Sequence, residues 1–184
     1  ISSTYLLATL AFKGIAHYKV AEALEKNNIE YKDINTRATY FNSILWSAQI
    51  ELEDSYMFTY YSLFDKSMPV FTKKFPKNHN MLKPFINEKK IQQLIILSNG
   101  HYIMSNENDN LIFWNLKLGQ KGFDKNASPY IWSYIIEKNN KEQIQLDETN
   151  EKMDALKVKE IRSFRNNRKY SEEFSKFYER LKGI

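Results

Sequence analysis

The stretch that decides the fold is ILWSAQIELEDSYMFTYYSLF, residues 44–64. Large apolar side chains alternate with other residues from Ile44 to Leu52, and the polar break Glu53-Asp54-Ser55 follows. Aromatic and large apolar residues then resume from Tyr56 to Phe64. Two extended runs separated by a short polar break are typical of a β-hairpin, so we predict one here.

Further strands are predicted on both sides of the hairpin. One is expected within Ile29–Thr39 and another over Met68–Phe75, where Pro69 fits a sheet edge and Pro76 ends the run. Three more are expected later in the chain, over residues 101–105, 111–118 and 130–137. Short connections favour antiparallel pairing. The sequence therefore predicts one sheet of about six mainly antiparallel strands.

Two helices are predicted to pack against this sheet. The first runs from about residue 3 to 27 behind the capping residue Ser3. The second runs from about Glu88 to Ser98, with Asn87 as its cap and Asn99-Gly100 as its left-handed stop. A helical turn is expected over 79–85. Helical spacing predicts that the core face of the first helix carries Leu7, Leu10, Ala11, Gly14, Ile15, Tyr18, Ala21 and Leu24.

Beyond Asn139 the apolar period becomes helical, which predicts two C-terminal helices. The first would place Met153, Leu156, Ile161 and Phe164 on one face, and the second would start at Ser171. The predicted fold class is therefore α+β. We expect an α+β domain over residues 1–140 and a helical appendage over residues 141–184.

The composition narrows the class of protein. The chain has 184 residues, 42% hydrophobic and 27% charged, with only 5 Gly and 4 Pro, which fits a globular protein and excludes collagen-like or linker-dominated chains. It has no cysteine, which excludes disulfides and thiolate metal sites. The apolar opening Tyr5–Phe12 is far shorter than the roughly 20 residues needed to cross a bilayer. Because the chain starts at Ile1 rather than Met, we expect it to be a piece of a longer protein.

Basic residues are concentrated in two stretches, 73–90 and 157–169, each of which contains a single acid. Such stretches are either solvated surfaces or contacts for the phosphates of lipids or nucleic acids. Hairpin aromatics beside lysines are compatible with base stacking, but no motif of the common RNA-binding modules is present, so nucleic acid is not the expected partner. The residues predicted for an anionic surface are Lys73, Lys74, Lys77, Lys89, Lys90, Arg162, Arg165 and Arg168.

No familiar catalytic motif is present in the sequence. There is no glycine-rich phosphate loop, no nucleophile elbow and no pair of histidines at metal-ligand spacing, so no metal site is predicted within this chain. Asp65 and Asn42 are expected either to hold turns by accepting backbone amides or to act in a site, and Lys117 either to be solvated or to bind an anion. The residues predicted for a surface or pocket are Asn42, Trp46, Tyr60, Tyr61, Asp65, Asn115 and Lys117.

The order of four segments resembles the C-terminal half of the YdjM-like membrane-bound metal-dependent hydrolases. These segments are ATYFNSILW at 38–46, YYSLFD at 60–65, SNGHY at 98–102 and NLKLG at 115–119. The corresponding family segments are similar to P-T-P-x-N-x-x-L-W, G-Y-Y-S-L-x-D, a Ser-x-Gly-Tyr strand start and D-L-R-F-G. Ala38 and Tyr40 stand where the family often has prolines, Thr59 where it has glycine, and Asn115 and Lys117 where it has aspartate and arginine. The resemblance covers about residues 1–137.

The resemblance implies an extramembrane part of a membrane-bound hydrolase. In the family the His and Asp metal ligands lie in a multi-helix membrane half, and the opening helix of this chain is similar to the segment that follows the last membrane helix. The resemblance therefore implies that a divalent metal belongs to that absent half, which would also be this chain's partner. Lysines beside membrane helices favour anionic lipid and the cytoplasmic side.

Three functional hypotheses follow from the sequence. The first is an accessory, regulatory, substrate-presenting or partner-binding domain of a membrane-bound hydrolase. The second is a module that binds nucleic acid or an acidic protein through the basic stretches. The third is an autonomous hydrolase with a site around Asn42, Tyr60, Asp65 and Lys117.

Overall fold

The predicted hairpin is present and forms the centre of an antiparallel sheet in a computed structural model of the chain. Its strands are β2 (Leu45–Glu51) and β3 (Ser55–Ser62), with Trp46 opposite Tyr61. Strand β1 (Asp33–Ala38) pairs with β2, and the two-residue strand β4 (Phe75–Pro76) pairs with β3. The order in the sheet is β1-β2-β3-β4.

The structure describes residues 2–39, 41–107, 110–117, 132–138, 156–162 and 170–183. These residues form two compact units. The first contains the hairpin sheet, the helix α1 (Ser2–Lys26) and the last helix of the chain, α3 (Tyr170–Leu181). None of the described helices is both long enough and apolar enough to span a bilayer.

Helix α1 is confirmed, but its predicted core face is wrong. Ala16, Val20, Ala23 and Leu24 are buried, at most 1% exposed, and pack toward the sheet. Of the predicted face only Leu24 is fully buried, whereas Leu7, Leu10, Ile15 and Tyr18 are 46–69% exposed. At 100° per residue Leu7 and Tyr18 lie on the side opposite Ala16 and Val20, and Leu10 lies at the edge of that side. Because both faces are apolar, periodicity alone does not select between them; the smaller side chains allow the closer approach to the sheet.

The core of the first unit lies between α1 and the sheet. Val20 and Leu24 contact a cluster formed by Ile34, Ala48, Ile50, Leu52 and Met57. These sheet residues share one face, since Ile34 is opposite Ile50 and Ile50 is opposite Met57 in the register. Burial of each large aliphatic side chain contributes about 1.5–3 kcal/mol, so this cluster stabilises the packing of α1 against the sheet.

The predicted strand over Met68–Phe75 is wrong except at its last residue. Only Phe75–Pro76 is extended in the sheet, opposite Tyr56 and Ser55. Before it, one backbone bond, from Thr72 N to Phe58 O at 2.9 Å, is combined with side-chain bonds: the Thr72 hydroxyl accepts from Phe58 N at 2.9 Å, and the Thr59 hydroxyl donates to Val70 O at 2.9 Å. A segment bonded through side chains does not keep the regular register of a strand.

The second unit is a separate four-stranded antiparallel sheet with a helix. A 3-10 helix (His79–Phe85) precedes α2 (Lys89–Leu97), which begins after Glu88 without the predicted side-chain cap from Asn87. Asn99 and Gly100 have φ of 53° and 77°, which confirms the predicted left-handed stop. The strands are β5 (Tyr102–Glu107), β6 (Asn110–Asn115), β7 (Trp132–Lys138) and β8 (Leu156–Arg162), in that order in the sheet.

Leu82, Ile91, Leu94, Met104 and Phe113 lie in the core of the second unit. An aromatic series extends it: the ring of His79 stacks on Tyr102 at 4.0 Å between centroids, and Tyr102 stacks on Phe113 at 4.6 Å. The His79 ring nitrogen Nε2 also lies 2.9 Å from the backbone oxygen of Tyr102. The 3-10 helix is thereby attached to its own sheet.

The α+β class and the antiparallel pairing are confirmed, whereas the single sheet of about six strands is wrong. The described strands divide into two sheets of four. The first predicted C-terminal helix is wrong as well, because Leu156–Arg162 is strand β8, paired with β7. Its sequence LKVKEIR starts with apolar Leu156 and Val158 alternating with lysines, the period-two pattern of a strand, and β8 pairs with β7 along its whole length. The predicted boundary at residue 140 falls outside the described residues.

Candidate functional site

Asn42 organises the start of β2. Its side-chain oxygen accepts from the backbone amides of Ile44 at 2.9 Å and Leu45 at 2.7 Å. Its amide nitrogen donates to the Thr39 hydroxyl at 2.7 Å. This arrangement is the turn-holding role that the sequence left open beside a role in a site.

Trp46 and Tyr61 form a core cluster with Ala16 of α1. Both aromatic residues are nearly buried, at 5% and 6% exposed, and Phe12 and Leu63 pack around them. The Trp46 indole N–H donates to Ser43 O at 3.0 Å. Burial raises the pKa of the Tyr61 phenol, and Lys19 opposes the rise. These two predicted surface residues therefore attach α1 to the hairpin.

Tyr60 lies on the other face of the sheet, beside a shallow pocket of about 10 Å³, room for about one water molecule. The Arg37 guanidinium donates to the side-chain oxygen of Gln49 at 3.2 Å, and Gln49 is only 4% exposed. Burial raises the pKa of the Tyr60 phenol strongly, and the positive charge of Arg37 opposes the rise. Arg37 and Gln49 were not predicted from the sequence as site residues, although both lie in predicted strands. The pocket is lined by Arg37, Ser47, Ala48, Gln49, Phe58, Thr59 and Tyr60.

Asp65 closes the end of the hairpin and is 6% exposed at its side chain. One carboxylate oxygen accepts from Ser62 N at 2.9 Å, the backbone contact predicted from the sequence. Both oxygens also accept from Arg180 of α3, at 2.5 and 2.6 Å. Arg180 was missed because nothing in a sequence places it beside a residue 115 positions earlier.

Asn115 and Lys117 belong to the second unit, whereas the other five candidates belong to the first. Asn115 is 2% exposed, and its side-chain oxygen accepts from Lys117 N at 2.8 Å, which holds the turn after β6. Lys117 is exposed. The seven candidates therefore do not form one cluster of side chains within either unit.

The residues predicted for an anionic surface are also divided. Lys73 and Lys74 are exposed in the first unit. Lys77, Lys89 and Lys90 belong to the second, where Lys89 is exposed. Arg162 lies in β8, and Arg165 and Arg168 lie outside the described residues. Over the described ranges, no three His, Asp or Glu side chains are grouped as metal ligands would be.

The feature of the first unit most unusual for a protein surface is the outward side of α1. We call it the outer stripe, defined as Leu7, Leu10, Ala11, Gly14, Ile15 and Tyr18. All six residues are exposed, and none is charged. A Cβ added to Gly14 would contact nothing within 4 Å, so this part of the helix is open to its surroundings. Apolar area exposed in one continuous strip marks an interaction surface.

No family model matches the chain, and neither the curated proteins nor the solved structures compared with it include a match.

Proposed function

We propose that this chain is an accessory, extramembrane part of a membrane-bound metal-dependent hydrolase, and that it rests on the membrane through the outer stripe of α1. The observation that carries the proposal is the exposure of large apolar side chains along that stripe: Leu7 is 69% exposed, Leu10 67% and Tyr18 64%. Burial of a single leucine is worth about 1.5–3 kcal/mol. A helix with such a stripe gains most by lying in the interface of a bilayer.

Lipid fits α1 better than a protein groove does. Tyr5 and Leu6 are also 59% and 63% exposed; at 100° per residue Tyr5 lies on the side of the helix away from the outer stripe, and Leu6 lies beside Leu10 at its edge. A groove covers one side of a helix, whereas acyl chains surround it. Helix α1 therefore suits the interface of a bilayer, which accommodates apolar side chains and is enriched in tyrosine.

The charges of α1 favour an anionic surface. The first 21 residues contain Lys13 and Lys19 and no acid, and the first carboxylate is Glu22. Glu22 accepts from Lys19 and Lys26 at 2.9 Å each, behind the apolar part of the helix. Each lysine close to an anionic leaflet adds about 1 kcal/mol of binding. Two copies of α1 packed together would instead bring their lysines into repulsion, so a second copy is the less favoured occupant.

The hydrolase part of the proposal is supported by the resemblance of the four segments. The accessory part is supported by the role of three polar candidate residues in holding turns. Asn42, Asp65 and Asn115 each accept backbone amides that shape a turn. We infer that the membrane half of the full-length protein binds the divalent metal and carries out the hydrolysis. This chain would be the partner of that half at the cytoplasmic face of the membrane.

Vesicle binding tests the membrane contact. We expect the chain to sediment with vesicles that contain phosphatidylserine and less with purely zwitterionic vesicles. The double variant Leu7→Glu/Leu10→Glu should lose most of this binding, because it places two charges in the outer stripe. The matched control is Ile96→Glu, which changes a 74% exposed residue of α2 and should bind like the unchanged chain.

Equal binding of the double variant and the control to vesicles would refute the role of α1. Equal binding of the unchanged chain to anionic and zwitterionic vesicles would refute the role of the α1 lysines. Turnover tests the accessory role separately: phosphoesterase and esterase activity with added zinc or manganese is expected for the full-length protein and not for this chain. Stoichiometric metal with turnover in the chain alone would move the site into these residues.

A further inference from the structure

Two loops meet at one end of the hairpin sheet, one before β2 and one after β3. They are bonded to each other, since Leu63 N donates to Ile44 O at 3.0 Å. Each loop carries an exposed phenylalanine: Phe41 is 106% exposed and Phe64 is 58% exposed. Neighbouring apolar side chains at such exposure mark an interaction surface. We call this end of the first unit the loop end, defined by residues 41–44 and 63–65.

The backbone at Phe41 is strained. Its φ of +60° lies in the left-handed region, where a residue with a bulky side chain is an outlier. The next residue holds the loop in this form, because the side-chain oxygen of Asn42 accepts from Ile44 N at 2.9 Å and Leu45 N at 2.7 Å. Glycine or asparagine would adopt this conformation with less strain. Strain at a residue whose ring faces solvent indicates a function for the ring.

The start of α1 lies toward the same end. Leu24 packs in the cluster that contains Ile50. Ala16, about two turns earlier, packs against Trp46 and Tyr61, which stand opposite each other where β2 begins and β3 ends. Each earlier residue of α1 adds about 1.5 Å in that direction. The apolar first turns of α1 and the two phenylalanines therefore share one end of the unit.

The opposite end of the hairpin sheet is acidic. Glu53 and Asp54 are exposed in the turn between β2 and β3, and Asp33 stands opposite Glu51 in the register. Lys32 bonds to Glu53 at 2.9 Å, which offsets part of this negative charge. An anionic leaflet repels such a surface.

The charges at the loop end have the opposite balance. The carboxylate of Asp65 is 6% exposed and accepts from the Arg180 guanidinium, so its charge is compensated. Lys66, which follows this turn, and Lys13 in α1 are both exposed. Exposed cations beside exposed apolar side chains are the combination that anionic membrane surfaces bind.

We propose that the loop end enters the membrane interface together with the first turns of α1, with Phe41 and Phe64 as two further anchors. This inference rests on the proposed membrane contact of α1 and adds an orientation to it. The hairpin sheet would stand with its loop end toward the bilayer and its acidic turn toward water. A bilayer is favoured over a protein partner because the anchors protrude from three separate segments, and a fluid interface accommodates each of them individually.

Fluorophores at single cysteines test the orientation, because the chain has no cysteine of its own. Labels introduced by Phe41→Cys, Phe64→Cys and Asp54→Cys are compared with a reference label from Leu7→Cys in α1. The membranes are phosphatidylserine vesicles with brominated acyl chains. We expect the labels at residues 7, 41 and 64 to shift to the blue and to be quenched, while the label at residue 54 stays in water.

Vesicle binding of Phe41→Asn tests the anchor itself. Asparagine tolerates the left-handed backbone, so urea unfolding should show a stability equal to or above that of the unchanged chain. Binding to phosphatidylserine vesicles should weaken about tenfold, as expected when one phenylalanine ring is lost from the interface. The matched control is Tyr31→Asn, which removes a 45% exposed aromatic ring near the acidic end and should bind like the unchanged chain.

The outcomes separate this inference from the proposed contact of α1. A response at residue 7 without one at residues 41 and 64 would overturn the inference and leave the α1 contact standing. Equal responses at residues 41 and 54 would overturn the orientation, and equal binding of Phe41→Asn and Tyr31→Asn would exclude Phe41 as an anchor. A bound chain with no response at residue 7 would refute the α1 contact on which the inference rests.

Discussion

At the scale of single residues, short polar side chains set the ends of the hairpin. Asn42 holds the start of β2 through two backbone amides, and Asp65 holds the end of β3 through one. These roles were among those predicted from the sequence, because Asn and Asp before or after an extended run bond to nearby amides. What local sequence does not contain is the second partner of Asp65, since Arg180 arrives through the folding of the whole chain.

Tyr60 gives a prediction at this scale. Burial raises the pKa of its phenol strongly above the ordinary value near 10, with Arg37 opposing. An acid whose folded-state pKa is raised favours the folded state fully below the unfolded pKa, and this contribution declines as the pH rises above about 10. Alkaline titration of tyrosine absorbance should therefore contain a late-titrating phenol that is absent in Tyr60→Phe. A Tyr60→Phe titration that is unchanged in its high-pH portion would contradict the assignment.

At the scale of elements, α1 was predicted correctly as a helix, but the face that it buries was predicted incorrectly. Its length and position followed from the sequence, and so did both strands of the hairpin. The face did not, because Leu7, Leu10 and Tyr18 are as regularly spaced as Ala16, Val20 and Ala23. Which apolar side is buried depends on the shape of the sheet that it meets. The same limitation affected β8, where pairing with β7 selected a strand over a helix.

Paired substitutions in α1 test this assignment of faces. Leu24→Ala removes a fully buried side chain and should lower the free energy of unfolding by about 2–5 kcal/mol. Leu10→Ala removes the same atoms from a 67% exposed position and should change it by no more than about 0.5 kcal/mol. Urea unfolding of both variants measures the difference, and similar losses at the two positions would show that the outer stripe is buried in the free chain.

At the scale of the whole molecule, the α+β class and antiparallel pairing were predictable because they follow from local alternation and short connections. The division into two sheets was not, since alternation shows that strands exist and not which strands share a sheet. The candidate site was limited for the same reason: Asn115 and Lys117 were predicted to share a surface or pocket with the hairpin residues, but they belong to the other unit. The feature that now carries the functional proposal, the outer stripe, had been assigned to the core.

The central claim is that the outer stripe of α1 enters lipid, and a depth-sensitive label measures this most directly. Because the chain has no cysteine, Leu7→Cys and Ile96→Cys each give one unique position for an environment-sensitive fluorophore. With phosphatidylserine vesicles, the label at residue 7 should shift to the blue and be quenched by brominated acyl chains, while the label at residue 96 stays in water. Equal responses at the two positions, or none at residue 7 when the chain is bound, would contradict the claim.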